Sequence, residues 1–272
     1  MEKKISRRDF LKGSVAGTAS LAAAGLLASC AAKPDPTPTA NNEVPVTPPP
    51  ASYDKEVDFL IVGYGLAGEA AALEANDIDP NAKICVLEKM PERLAGGNSI
   101  ASGQTVILPN PDDLDTFRRY LYACSQPNPI KDEYLDYLVK EFAEQGEWIQ
   151  GTVEKVDYEF GYVGGGPINW GSLVTEFPDL DGASFSGCSS HVRKKGATFE
   201  NGGVWHGFDL AVRARNNIEL CFETAFKSLI QDADGKVLGV VATNPSGKEF
   251  TIGSQKGVVL ACGGYENNLE MQ

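Results

Sequence analysis

No run of about 18 consecutive apolar residues, the length a spanning helix needs, occurs in the chain, so a multispan transporter is excluded. No two cysteines stand at CxxC spacing and no CxxCH occurs, which rules out a zinc ribbon and a covalently attached c-type haem. Histidine is nearly missing, with His191 and His206 the only two. Basic residues are also short: 24 Lys and Arg face 37 Asp and Glu, for a net charge of −13. Residues 1–29 hold five Lys/Arg against two Asp/Glu, a net of +3, so the remainder carries −16. A nucleic-acid partner would need a basic face, and this body is acidic.

What is present divides into segments. The 272 residues allow one or two domains, and the 42% apolar and 22% charged content is ordinary for a globular protein. Lys3, Lys4, Arg7, Arg8 and Lys12 precede a short, weakly apolar stretch from Val15 to Ala28, the layout of a signal peptide. Ser6–Lys12 (SRRDFLK) resembles the twin-arginine export motif, centred on Arg7 and Arg8. Leu27–Cys30 (LASC) resembles a bacterial lipobox, which implies a lipidated Cys30. Those resemblances imply the twin-arginine export machinery as a partner and a membrane anchor through Cys30. The expected location is the outer face of the cytoplasmic membrane or the periplasm. Seven of the 16 prolines lie in residues 30–52, a linker that favours extended polyproline conformations. The expected division is a signal peptide over 1–29, a linker over 30–52 and a folded domain over 53–272.

The domain opens on VDFLIV (Val57–Val62), a short apolar, β-branched run that reads as a buried parallel strand. Gly63-Tyr64-Gly65-Leu66-Ala67-Gly68 follows, then a helix-forming stretch, Glu69–Asn76, and a second strand, Lys83–Leu87, ending in Glu88. A GxGxxG between strand and helix, with an acidic residue about 20 positions on, is the full dinucleotide-binding context. Gly63 permits the tight turn, Gly65 lets backbone approach a pyrophosphate, and Gly68 lets helix and strand pack closely. The helix N-terminus offers free N–H groups to phosphate, and Glu88 offers acceptors to ribose hydroxyls.

The segment Met90–Gln104 (MPERLAGGNSIASGQ) places Gly96, Gly97, Asn98 and Ser99 just beyond the second strand, where they can meet a second part of an extended cofactor. With Val258–Tyr265 (VVLACGGY) near the other end, the chain resembles the FAD-binding fumarate reductase/succinate dehydrogenase flavoprotein family over about residues 57–268. That family includes urocanate reductases and 3-ketosteroid dehydrogenases. The resemblance implies an α/β, Rossmann-like FAD-binding domain with a parallel central sheet and a small β-meander. It implies FAD contacts at Gly63, Gly65, Ala67, Gly68, Glu88, Lys89, Gly97, Asn98, Ser99, Gly103, Ala225 and Ala261. Two positions depart from the family pattern: Gln104 replaces the second glycine of SGG, and Cys262 the threonine of ATGG. Cys262 is expected to be a small buried thiol.

Between these motifs, Asp115–Cys124 and Asp132–Gln150 show apolar residues at helical spacing. Residues 161–190 are rich in Gly and Ser and read as an irregular excursion. Asp234-Gly235 and Ser246-Gly247 mark turns between short strands. His191 and His206 each suit a proton donor by titration range, but an ordinary hydrogen-bonded surface or core role is the expected one for both.

By the resemblance, a substrate-capping domain with the catalytic residues follows the ATGG segment, and this chain is expected to stop short of it. No catalytic residue is assigned. The implied reaction is FAD-dependent reduction or dehydrogenation of a C–C bond, with electrons from a quinol, cytochrome or flavoprotein. The alternatives are a non-catalytic FAD-binding lipoprotein or a subunit completed by a partner chain. An amine-oxidase-like flavoprotein is a further class, disfavoured by the GGNS and VVLACGG pairing.

Overall fold

The computed structural model describes residues 47–103, 105–162 and 168–264, which fall in the unit Pro45–Gln272; the unit Met1–Val44 lies outside them. In chain order the elements are β1 (Lys55–Val62), α1 (Leu66–Ile78), β2 (Ile84–Leu87), α2 (Gly97–Ala101), β3 (Val106–Pro109), α3 (Leu114–Cys124) and α4 (Asp132–Val153). They continue with β4 (Tyr158–Tyr162), β5 (Gly187–Lys194), α5 (Gly203–Arg213), β6 (Ile218–Cys221), β7 (Ala225–Gln231), β8 (Val237–Thr243) and β9 (Glu249–Leu260).

Six strands form one sheet in the order β6-β2-β1-β9-β8-β7. Strands β6, β2, β1 and β9 run parallel, and β9, β8 and β7 form an antiparallel meander. Strand β9 belongs to both halves: its first residues pair with β8 while its length follows β1 from Lys55↔Ile252 to Val62↔Leu260. This is the mixed α/β arrangement expected, a parallel sheet with a small meander.

The apolar run of β1 is buried on both faces, as a central parallel strand requires. Ile61, with Ile84 and Val86 of β2, packs beneath α1 and α5 against Tyr64, Leu73, Trp205 and Phe208. Leu60 and Val62, with Cys85 and Leu87, face the opposite way, onto Val240, Ala242 and Ile252. Val57 joins this second cluster although it is three residues from Leu60. A register irregularity lies between Val57 and Phe59, with the extra residue in β9 between Ser254 and Gly257, and marks where β1 departs from simple alternation.

Helices α3 and α4 form where helical spacing places them, around a core of Phe117, Tyr120, Leu135, Val139 and Phe185. Residues 161–190 were expected to be irregular, and their two ends are not. Gly161 and Tyr162 close β4, and Gly187–Ser190 open β5, in a second, antiparallel sheet of order β3-β5-β4. Strand pairing across more than 25 residues recruits these Gly- and Ser-bearing ends, a contact no local pattern encodes. The proline-rich stretch ends on the meander: Gln231 N–H donates to Thr47 O (3.0 Å), and Thr47 Oγ1 lies 3.1 Å from Ser228 Oγ. Among the described residues, no helix is long and apolar enough to cross a membrane.

Candidate functional site

The parallel strands β1, β2 and β9 end side by side, and the turn from β1 into α1 crosses their carboxyl ends, where open α/β sheets bind ligands. Gly63 has φ +105°, and a Cβ there would fall 2.3 Å from Ala261 O, so this turn and the end of β9 touch backbone to backbone. Gly63 N–H donates to Leu87 O (2.7 Å) and Ala261 N–H to Val62 O (2.8 Å), which ties all three strand ends together. A Cβ on Gly68 would lie 1.9 Å from Gly63 O, so α1 sits too close to the turn for any larger residue.

Gly65 differs from both. Its backbone is ordinary (φ −85°, ψ −177°), and a Cβ there would meet nothing in the protein nearer than Ser99 Oγ at 3.4 Å. Packing does not demand glycine here; the space in front of the turn is what a side chain would fill. Glu69 N–H is bonded to Gly65 O (3.1 Å), so the amides of Leu66, Ala67 and Gly68 precede the helical ladder. Leu66 N–H donates to Ser99 Oγ (3.0 Å). Ala67 is exposed at this end, as an anion-binding helix N-terminus must be.

Glu88 is nearly buried and held firmly. Its Oε2 accepts from Tyr64 N–H (3.0 Å) and its Oε1 from Met90 N–H (2.8 Å). Its backbone pairs with Cys221 O through N–H (2.9 Å) and accepts from Thr224 N–H (2.9 Å). A carboxylate oxygen has about two acceptor sites, so each of these keeps about one for a further donor, the pattern that two vicinal ribose hydroxyls require. Ala225 follows Thr224 directly and is half-buried, and Lys89 is exposed beside Glu88.

Tyr64 and Trp205 brace the turn from behind, a role that sequence reading missed. Trp205 Nε1–H donates to Tyr64 O (3.1 Å), and Tyr64 OH donates to Asp209 Oδ1 (2.7 Å). Burial, with Glu69 and Asp209 nearby, pushes the Tyr64 hydroxyl far above its ordinary range, so it stays protonated as a donor. The indole lies 141 residues along the chain from its acceptor, beyond any spacing rule.

Gly96 and Gly97 adopt positive φ (+108° and +52°) and start α2, which carries Asn98 and Ser99. Gly97 and Asn98 are exposed and Ser99 is half-buried. Asn98 and Ser99 stand at the edge of a cavity of about 590 Å³ walled by Leu66, Val106, Trp148 and Phe208 among others. That size lies within the range for small-molecule and cofactor pockets. Gly103 is exposed at the end of this segment.

Cys262 was expected to be buried, and it is exposed. Strand β9 ends at Leu260, and the chain leaves the sheet just before this cysteine, whose Sγ contacts Val62 O at 3.7 Å. His191 sits on β5 against Phe199 (ring centroids 5.4 Å apart), and His206 on α5 against Trp205 (5.1 Å). Gln104, Arg7, Arg8 and Cys30 lie outside the described residues. No group of three or more His, Cys, Asp or Glu positioned for a metal occurs among the described residues.

Comparison with known proteins agrees with this geometry. A family model described as an FAD binding domain matches residues 58–272. The chain is 28% identical to a digoxin reductase of Eggerthella lenta, over 100% of this chain and 48% of that protein. It is 28% identical to a urocanate reductase of the same organism, over 82% of this chain and 34% of that one. Among solved structures, a 3-ketosteroid Δ1-dehydrogenase from Sterolibacterium denitrificans superposes with a TM-score of 0.64 at 20% identity, over 80% of this chain and 49% of that chain. That last likeness concerns the fold alone. The chain spans about half or less of the length of these curated relatives.

Proposed function

Because the chain belongs to the FAD binding domain family, FAD is its cofactor, and we propose that it is the flavin-binding part of an oxidoreductase of fumarate reductase type that reduces or dehydrogenates a carbon–carbon bond of a small organic substrate. The observation that carries this reading is the open turn at Gly65, faced by the half-satisfied carboxylate of Glu88 and by Ser99. Bound FAD supplies the hydride chemistry. The chain's own residues would bind and orient it: the amides of Ala67 and Gly68 would hold the pyrophosphate, and Glu88 would accept from the ribose hydroxyls. Ala225 and Lys89 would serve the adenosine end. Gly97, Asn98, Ser99, Gly103 and Ala261, just past β9, would serve the flavin end. The reductase and dehydrogenase names of the relatives support the reaction class.

The N-terminal motifs extend the reading to export. Arg7 and Arg8 direct the folded chain to the twin-arginine machinery, and Cys30 anchors it by lipid to the outer face of the cytoplasmic membrane. Electrons then reach the flavin from a quinol, a cytochrome or another flavoprotein.

The activity test uses the FAD-loaded chain together with the substrate-capping part that the reading assigns to the whole enzyme, a reduced viologen and a panel of α,β-unsaturated acids and enones. Viologen oxidation with one substrate class supports the reading. A fully loaded, capped enzyme that reoxidises with none of them argues against it. For export, paired Arg7→Lys and Arg8→Lys changes are expected to retain the protein in the cytoplasm, and Cys30→Ser to release it from the membrane. Unchanged fractionation of both variants refutes the targeting assignment.

A further inference from the structure

Strands β2 and β6 place two thiols together on the sheet face opposite α1. Cys85 Sγ lies 3.6 Å from Cys221 Sγ. Cys85 is fully buried, and Cys221, at the end of β6, is only half-buried. The ammonium of Lys55 reaches both sulfurs, at 3.6 Å and 3.9 Å, and is itself held by Glu219 at 2.6 Å. A partly exposed thiol beside a fixed cation is the setting in which cysteines become reactive. The hydrogen bond from Cys85, reinforced by the Lys55 charge, holds the Cys221 thiol below its ordinary range against the opposing effects of burial and Glu219. Cys221 is the sulfur that an incoming disulfide can reach, so it is the nucleophile of the pair, and the fully buried Cys85, whose thiol the same hydrogen bond and burial push up, follows it. A bound metal cation would have to displace the Lys55 ammonium from between the ligands, which disfavours a metal site and favours thiol chemistry.

We propose that Cys85 and Cys221 form a thiol–disulfide exchange site that reacts with low-molecular-weight disulfides and closes to an intrachain disulfide. The Cys221 thiolate attacks one sulfur of the incoming disulfide, forming a mixed disulfide and expelling one small thiolate. The Cys85 thiol then loses its proton to solvent and attacks Cys221 Sγ, expelling the second small thiolate. Two protein thiols are oxidised and one small disulfide is reduced to two thiols, so electrons and protons balance. The sulfurs must close from 3.6 Å to about 2.05 Å. The site adjoins the nucleotide end of the fold, because Cys221 O accepts from Glu88 N–H at 2.9 Å.

The test incubates the reduced, purified chain with oxidised glutathione near neutral pH, alkylates the remaining thiols and maps the peptides by mass. The expected product is a peptide pair joined through Cys85 and Cys221. Cys85→Ser, checked for native circular dichroism, is expected to leave a stable glutathione adduct on Cys221. Lys55→Met is expected to slow the reaction, about threefold for each tenfold loss of thiolate, because the more basic thiolate regains about threefold in nucleophilicity. The exposed Cys124 and Cys262 serve as internal controls in the same digest. Wild-type chain in which Cys85 and Cys221 stay reduced while those two react overturns the proposal, without recourse to any variant. A lasting adduct on wild-type Cys221 with no linked peptide overturns it equally.

Discussion

Glu69 offers a quantitative test of how the turn is built. It stands in the first turn of α1, where acids usually face solvent and the helix dipole, yet it is fully buried and neither carboxyl oxygen has a hydrogen-bond partner. Burial first, and the Asp209 charge second, raise its pKa well above the ordinary 4.5, with Arg213 opposing. A raised carboxyl pKa in the fold means that the native state holds a proton the unfolded chain releases. The resulting stability is present in full below the unfolded value and is lost as pH rises toward the folded value. Linkage sets the rate of that loss at about 1.4 kcal/mol per pH unit. Glu69→Met removes the titration and retains the volume. Between pH 5 and pH 6.5 the variant should therefore gain on the wild type, by at most about 2 kcal/mol, the limit set by one proton held throughout. For a fold of this size that limit is a relative Tm shift of about 4–8 °C. The assay is a thermal melt of both proteins across that pH range, with Glu69→Gln as the polar, non-titrating control. Parallel Tm curves for wild type and both variants would refute the placement of Glu69 as a buried, unpartnered acid.

Three further outcomes follow from the same turn. Gly68→Ala forces a methyl against Gly63 O at 1.9 Å and should cost about 3 kcal/mol, measured by urea unfolding; a loss below about 1 kcal/mol would contradict the close approach of α1. Ser99→Ala removes the acceptor for Leu66 N–H and should cost about 1 kcal/mol of stability together with a weaker affinity for FAD, read by melt and by titration. Trp205→Phe leaves Tyr64 O without its indole donor and should cost about 1–3 kcal/mol, with a wild-type melt as the contradicting result.

The parts of the fold that were legible in the sequence are those built by neighbours. The glycine turn, the apolar β1 and β2, the amphipathic α3 and α4, and the turns at Gly235 and Gly247 all depend on residues within one element or one turn. The sheet β3-β5-β4 was not legible, because Gly187–Ser190 carries no strand propensity and forms β5 only by pairing with β3 and β4. Helix α5 was hidden by its own glycines. At Gly207 a Cβ would come 3.0 Å from Val153, so the residue that weakens the helical pattern is the one that lets α5 pack. Within the site, Glu88 stood out by its spacing from the last glycine. What fixes its carboxylate, the amides of Tyr64 and Met90, belongs to backbone geometry and is invisible to residue type.

The central claim is that the turn at Gly65 is shaped for a dinucleotide rather than for packing, and FAD titration of the purified chain tests it most directly. The wild type should bind one FAD per chain. Gly65→Ala, whose new methyl finds only ordinary contact within the protein, should keep the wild-type Tm and lose affinity for FAD by about 100-fold, equivalent to about 2.7 kcal/mol. An unchanged affinity in Gly65→Ala, or a wild-type chain that binds NAD and no flavin, would contradict the account.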